Sequence, residues 1–341
     1  MPNKSGVVTS SLEIQVRFFE ALKQLLPANT QFAESISQLL DISLDSAYRR
    51  IRGETVIGID ETVKLCSHFN YPLSALGMSM PNLVTFYVNQ LGDKMDTFEK
   101  YLTSMANDVK LLSQSSDGYI TYAAEDIPVF YHFTHKHLLY FKMFYWMKAI
   151  QNVTDLPRES YHPEMFGDFF ETKGRALFQL YGSTPSTEIW TKETVLSTLN
   201  QIKFFWDSGF ITEAEHLEMI CDDLSAMLDV VKKQANTGHK YLSPNKESNK
   251  AYQLYISDLL IATNSIVTRK DGKRYSYLSY NTFNSIKTSN DFFADQTEKW
   301  LDNLVSKSTL ISVVGEKQRN QFFRGMQQKV AEFKQKMLED I

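Results

Sequence analysis

Apolar side chains recur at Leu12, Val16, Phe19, Leu22 and Leu26, a stripe at helical spacing that stops before Pro27. Asn29 or Thr30 can cap a second helix over 31–40, with Phe32, Ala33, Ile36, Leu39 and Leu40 as its apolar face. Asp41-Ile42-Ser43 forms a tight connection to a third helix beginning near Leu44, capped by Ser43 and ended by Gly53, with Ala47, Tyr48 and Ile51 available for packing. After the loop 54–58, the pattern predicts a fourth helix over 60–69 that buries Val63, Leu65 or Cys66, and Phe69. Tyr71-Pro72-Leu73 then opens a short fifth helix.

Beyond Pro81, apolar residues fall at Val84, Val88, Leu91, Met95, Phe98, Leu102, Met105, Val109 and Leu112, alternating steps of four and three. This heptad pattern predicts a connecting helix roughly 45 Å long at 1.5 Å per residue. Its seam has two possible fates, pairing with a second copy of the chain or packing within one chain, and the flanking Thr85, Tyr87, Gly92, Tyr101 and Ala106 are uncharged. Residues 117–128 read as a polar-to-extended break. Residues 130–232 read as aromatic-rich helices divided by Pro157, Pro163, the 182–185 segment and Gly209, and 236–249 as a polar linker. Over 252–280 the chain is rich in Ile, Thr and Tyr around Asp271-Gly272, the signature of a β-hairpin. Helical spacing returns over 291–338, interrupted at Gly315-Glu316-Lys317, which lacks the spacing of a phosphate loop.

The expected fold is therefore mainly α: an N-terminal five-helix domain (11–77), a long heptad helix (82–114), an aromatic-rich helical domain (117–235), and a small antiparallel sheet with C-terminal helices (250–341).

Four segments, in order, resemble the lambda-repressor and Cro-like helix-turn-helix family, also called XRE. Ile36-Ser37 followed by Leu40 is similar to that family's second helix, and Asp41-Ile42-Ser43 to its turn. The run from Ala47 through Tyr48-Arg49-Arg50-Ile51-Arg52 to Gly53 resembles the end of its recognition helix, and 65–76 its fourth-to-fifth helix signature. The resemblance covers about a fifth of the chain and departs from the family at Ser37, where Ala is usual, at Asp41, where Gly is common, and at Asp45 in the recognition helix.

This resemblance implies a third helix lying in the major groove of double-stranded DNA. Leu44, Asp45 and Ser46 would sit at the groove end, Tyr48 and Arg49 one turn on, and Arg50 and Arg52 nearer the phosphates. Arg49 is the expected base reader, since a bidentate arginine–guanine contact discriminates by roughly 1–3 kcal/mol. The alternative reading of the three arginines is solvation of an exposed helix C-terminus, where cations complement the macrodipole. Asp45 favours the helix N-terminus but repels phosphate.

Charge narrows this expectation. The whole chain carries a net −4, and residues 11–77 hold six Lys/Arg against eight Asp/Glu, a net of −2. A lone head would then bind DNA weakly, and a homodimer presenting two heads to adjacent major grooves is expected. The same charge and Asp45 support an alternative, a helix-turn-helix fold used for protein interaction.

Other chemistry is sparse. With 43% hydrophobic residues, 23 Phe and 17 Tyr in 341 residues, the chain can build its cores without metal or disulfide. Cys66 and Cys221 form no C-x-x-C pair, and the N-terminus lacks a signal-peptide pattern, so a reducing cytoplasm is expected. The most apolar stretch, 138–150, contains Lys142 and Lys148 and is too short to span a bilayer of about 30 Å. His132, His135 and His137 can be read as the metal ligands of an enzyme domain fused to the helix-turn-helix, or as packing and capping residues, and packing is the expectation. The basic hairpin tip, 269–274, can be read as a phosphate-touching wing or as a solvated turn, and the solvated turn is the expectation. There is no G-x-S-x-G, H-E-x-x-H or dinucleotide-binding turn. The expected protein is a one-component transcriptional regulator without catalytic residues or cofactor, its large domain answering to an unidentified small-molecule or protein effector.

Overall fold

A computed structural model of the chain describes residues 11–23, 25–26, 31–73, 83–89, 94–150, 153, 156, 160–281 and 284–339. It divides into two compact units, Met1–Thr85 and Phe86–Ile341.

The first unit contains four described helices: α1 (Ser11–Lys23), α2 (Phe32–Leu40), α3 (Leu44–Ile51) and α4 (Ile59–His68). Phe18, Phe19 and Leu22 of α1, Phe32, Ile36 and Leu40 of α2, Ala47 of α3, and Leu65 and Cys66 of α4 close one core. Three positions that the hydrophobic pattern assigns to packing are instead exposed, Leu12 at 45%, Tyr48 at 46% and Val63 at 46%; on α1, Phe18 takes the inward place. The cap of α2 falls at Gln31, whose carbonyl accepts from the Glu34 and Ser35 amides, in place of the expected Asn29 or Thr30, which lie outside the described residues together with the fifth helix beyond Leu73.

The turn between α2 and α3 depends on Asp41, which ends α2 in the left-handed region at φ 55. A short polar side chain tolerates that conformation better than most. Ser37 closes the turn: its carbonyl accepts from the Ile42 amide at 3.1 Å, and its hydroxyl donates to the Ile42 carbonyl at 2.6 Å.

The second unit overturns the mainly-α expectation. Its centre is a nine-stranded mixed sheet, built from β1 (Tyr87–Val88), β2 (Tyr119–Ala123), β3 (Ser186–Trp190), β4 (His239–Ser243), β5 (Lys246–Ile256), β6 (Ser265–Lys270), β7 (Lys273–Asn281), β8 (Asn284–Thr288) and β9 (Thr309–Leu310). The order is β1-β8-β7-β6-β2-β3-β5-β4, with β9 also paired to β5. The central strands β2, β3 and β5 are parallel. Parallel strands need long crossovers, supplied here by α6 (Lys136–Tyr145) and α7 (Asp168–Gly182) between β2 and β3, and by α8 (Leu196–Asp207) and α9 (Ala214–Thr237) before β4.

The predicted helical bundle over 117–235 thus contains two strands of this sheet, and the predicted linker over 236–249 contains β4 and the start of β5. The physical reason is burial: every residue of β3 is buried, so β3 carries no alternation of polar and apolar positions. The heptad helix is corrected as well. Val88 belongs to β1, and the helix α5 runs only over Met95–Gln114, with Phe98, Leu102, Val109 and Leu112 buried in the unit's own core.

The main core lies between one sheet face, carrying Ile120, Tyr122, Trp190, Tyr252 and Leu254, and helices that include α5, α6, α7 and α9. On the other face, Ala123, Ile189 and Val267 pack against Leu301 and Leu304 of α10 (Asp291–Ser306). The last helix, α11 (Glu316–Glu339), packs on α9. Asp271 and Gly272, both at positive φ, close the β6–β7 hairpin. Their amides donate to the Asp117 carboxylate at 2.7 and 2.8 Å, and the Ser115 hydroxyl, together with these amides, holds its pKa down to about 2.

At the heart of the main core, β3 places Glu188 with no exposed surface. Its carboxylate accepts from Tyr131 at 2.8 Å, Tyr181 at 2.5 Å, Trp190 Nε1 at 2.9 Å and Tyr252 at 3.2 Å. The equally buried Lys240 ammonium stands 3.4 Å away and also donates to Ser186. Burial pushes the Lys240 pKa down to about 8, against the pull of Glu188, and its Nζ lies 3.3 Å from the Tyr181 ring centroid, which further favours the cation.

Glu188→Gln strands that ammonium and is expected to cost about 3–5 kcal/mol of stability. Adding Lys240→Met is expected to recover a large part of the loss in urea unfolding of the single and double variants; simple additivity would contradict the coupling.

Candidate nucleic-acid interface

The α3 helix carries all the DNA-facing positions expected from the sequence except Arg52, which caps its C-terminal end. Ser43 begins it: in extended conformation, its hydroxyl oxygen accepts from the Ser46 amide at 3.2 Å and its hydroxyl donates to Ser46 Oγ at 3.0 Å. Ala47 is fully buried and pins the helix to the core. The opposite face presents Leu44, Asp45, Tyr48, Arg49 and Arg52 to solvent, Leu44 and Tyr48 at 41% and 46% exposure.

Three braces hold α3. From α1, the buried Gln15 side-chain amide donates to the Arg50 and Thr55 carbonyls at 2.8 Å each, while its oxygen accepts from the Ile57 amide at 3.0 Å. Gln15 was not among the candidates read from the sequence, because a polar residue one position before Val16 in an amphipathic stripe carries no local signal. From α4, Glu61 receives Arg50 through Nε at 3.1 Å and Nη2 at 2.9 Å, a bidentate pair that also takes the Gly58 amide. These partners hold the Glu61 carboxyl below its ordinary pKa. The third brace is Gly53, at φ +75, where an added Cβ would press on Val16 at 3.1 Å.

The three arginines therefore occupy different situations. Arg50 is a strut between α3 and α4. Arg52 is paired on the surface with Glu54 at 2.7 and 3.0 Å. Arg49 is exposed, and among the described residues its side chain is held in no ion pair, unlike Arg50 and Arg52. Ser46 is engaged in the helix cap, and its carbonyl accepts from Arg50 Nη1 at 3.3 Å.

The other candidate chemistry is not assembled into a site. His132 is buried against Trp146, and burial with the nearby Lys142 charge pulls its pKa well down. His135 meets Thr134 through Nδ1, and the His137 amide donates to Asp223. Among the described residues, no group of three or more His, Cys, Asp or Glu is arranged to hold a metal ion. At the basic hairpin tip, Arg269 pairs with Glu298, and Arg274 with Asp291, Asp295 and Glu298, so both arginines are tied to α10.

No family model, curated protein or solved structure matches the chain. No helix among the described residues is long and apolar enough to cross a membrane.

Removing a brace leaves partly buried groups unpaired, so Gln15→Ala and Arg50→Ala are each expected to cost about 1–3 kcal/mol. Arg49→Ala is expected to stay within about 0.5 kcal/mol of the parent. Hydrogen exchange of the Ala47 and Ile51 amides checks both; equal losses for all three would remove the distinction between strut and free cation.

Proposed function

We propose that the chain is a sequence-specific transcriptional regulator of the helix-turn-helix type, with α3 entering the major groove of double-stranded DNA. The observation that carries this reading is the exposed face of α3, rigidly braced from behind and bearing one uncommitted arginine, Arg49. Pre-organisation lowers the ordering cost on binding, and an arginine without a protein partner is free to take a guanine edge bidentately. Leu44 and Tyr48 supply apolar contact beside it, while the Arg52–Glu54 pair lies at the end nearer the phosphates.

The weak charge of a single head calls for a homodimer with two α3 helices about 34 Å apart, one turn of DNA. In this reading the second unit serves assembly or effector response, without catalysis or cofactor, in the cytoplasm. The buried free thiols of Cys66 and Cys221 suit a reducing compartment.

A protein-interaction role is the second reading, and one observation favours it. Val56, Ile59 and Val63 of the first unit are exposed at 66%, 82% and 46%, an apolar group that a partner protein would cover.

Mobility shifts with the full chain and its own upstream region separate the two. Expected are a specific complex whose affinity falls with salt and a loss of about tenfold or more for Arg49→Ala. Absence of salt-sensitive binding, or an Arg49→Ala variant indistinguishable from the parent, would contradict the DNA reading.

A further inference from the structure

Asp45 stands on the exposed face of α3 four residues before Arg49, so the two side chains project about one helical turn apart, roughly 5–6 Å between Cβ atoms. An acidic residue preceding a basic one by four is the favourable order for an ion pair. Yet among the described residues the Asp45 side chain makes no direct hydrogen bond or ion pair, its charge reaching Arg52 only at a distance, while Arg50 and Arg52 have carboxylates of their own in Glu61 and Glu54. A carboxylate on a surface that approaches phosphates lowers affinity for every duplex alike, unless a base edge offers it a donor.

The major-groove edges differ sharply in what they offer. Guanine presents the acceptors N7 and O6, and thymine presents O4 and a methyl group; both repel or ignore a carboxylate. Adenine sets its N6 donor beside the N7 acceptor, which a second carboxylate oxygen would face unfavourably. Cytosine presents the N4 amino donor with no acceptor on its own major-groove edge, the nearest being O6 of its paired guanine, and so it fits an acceptor-only side chain best.

The geometry points to Asp45 as a specificity-determining residue that accepts from the N4 amino group of a cytosine paired with, or within two base pairs of, the guanine taken by Arg49. This rests on the DNA-binding reading above. The carboxylate then acts mainly by exclusion: with cytosine its charge is compensated, and with the other three bases it is not.

Selection of bound duplexes from a randomised pool, using the full chain, tests this. The parent is expected to enrich half-sites with a cytosine within two base pairs of a guanine or opposite it. Asp45→Asn, which can donate to N7 and accept from N6, is expected to shift that position to adenine. Asp45→Ala is expected to leave it degenerate, with binding to the parent's selected site about tenfold weaker and binding to unrelated duplex at least as tight. A role confined to the helix N-terminus would instead lower the Tm and keep the motif unchanged in both variants. That result overturns the assignment of Asp45 while leaving DNA binding in place. A parent protein that enriches no sequence overturns the assignment together with the proposed function.

Discussion

A glutamate on a central strand, with none of its surface exposed, has to be satisfied entirely by the protein, and in the second unit this requirement ties the architecture together. Glu188 on β3 draws hydrogen-bond donors from Tyr181 at the end of α7, Tyr252 on β5, Tyr131 in the segment before α6, and Trp190 on its own strand. Lys240 on β4 brings the compensating charge, and Gln234 on α9 donates to Tyr131 while accepting from the Tyr241 amide. Apart from Trp190, each partner arrives on a different element, so the carboxylate is satisfied only when the crossovers have returned their strands to the correct register. Such a network costs more when partly satisfied than an apolar core would. Its completeness therefore favours one arrangement of the sheet over its alternatives. Gly182 shows how closely those elements approach: a Cβ there would collide with the Tyr241 carbonyl oxygen.

The first unit solves a smaller version of the same problem with Gln15. One buried amide joins the C-terminal turn of α3 to the loop that precedes α4, and Arg50 with Glu61 closes the gap on the other side. Two of the residues that make α3 look basic in the sequence are thereby committed to charge partners. The local charge available to a ligand is smaller than the count of arginines implies, and it is concentrated at Arg49. In the proposed DNA-binding reading, specificity would come from matched base edges more than from phosphate attraction.

Much of the first unit was legible because its helices are short, amphipathic and punctuated. The Asp41-Ile42-Ser43 turn ends α2 and begins α3, and Gly53 stops α3, with local chemistry. Inward-facing choices were less secure: Leu12 and Val63 fit the helical period yet face solvent, since a period fixes a face only to within a residue or so. In the second unit the hairpin announced itself through Asp271-Gly272, whose left-handed backbone few other pairs adopt. The parallel strands β2 and β3 had no such voice. Each is five residues long and follows the Gly or Pro signal of a loop, and β3, buried at every residue, has no period of two. The heptad run across Val84 to Leu112 misled for a related reason, because Val88 and the α5 seam serve two different elements of one unit. At the site, the exposed face of α3 followed from pattern, but the sorting of Arg49 from Arg50 and Arg52 depended on Glu54 and Glu61, partners that no spacing rule identifies.

The central claim, that the braced α3 face takes DNA, is tested most directly by amide hydrogen exchange of the full chain with and without an operator-containing duplex. Slowing concentrated at residues 43–52, with the amides of β2, β3 and β5 unchanged, is the expected result. Slowing absent from α3, or confined to the second unit, would contradict the account.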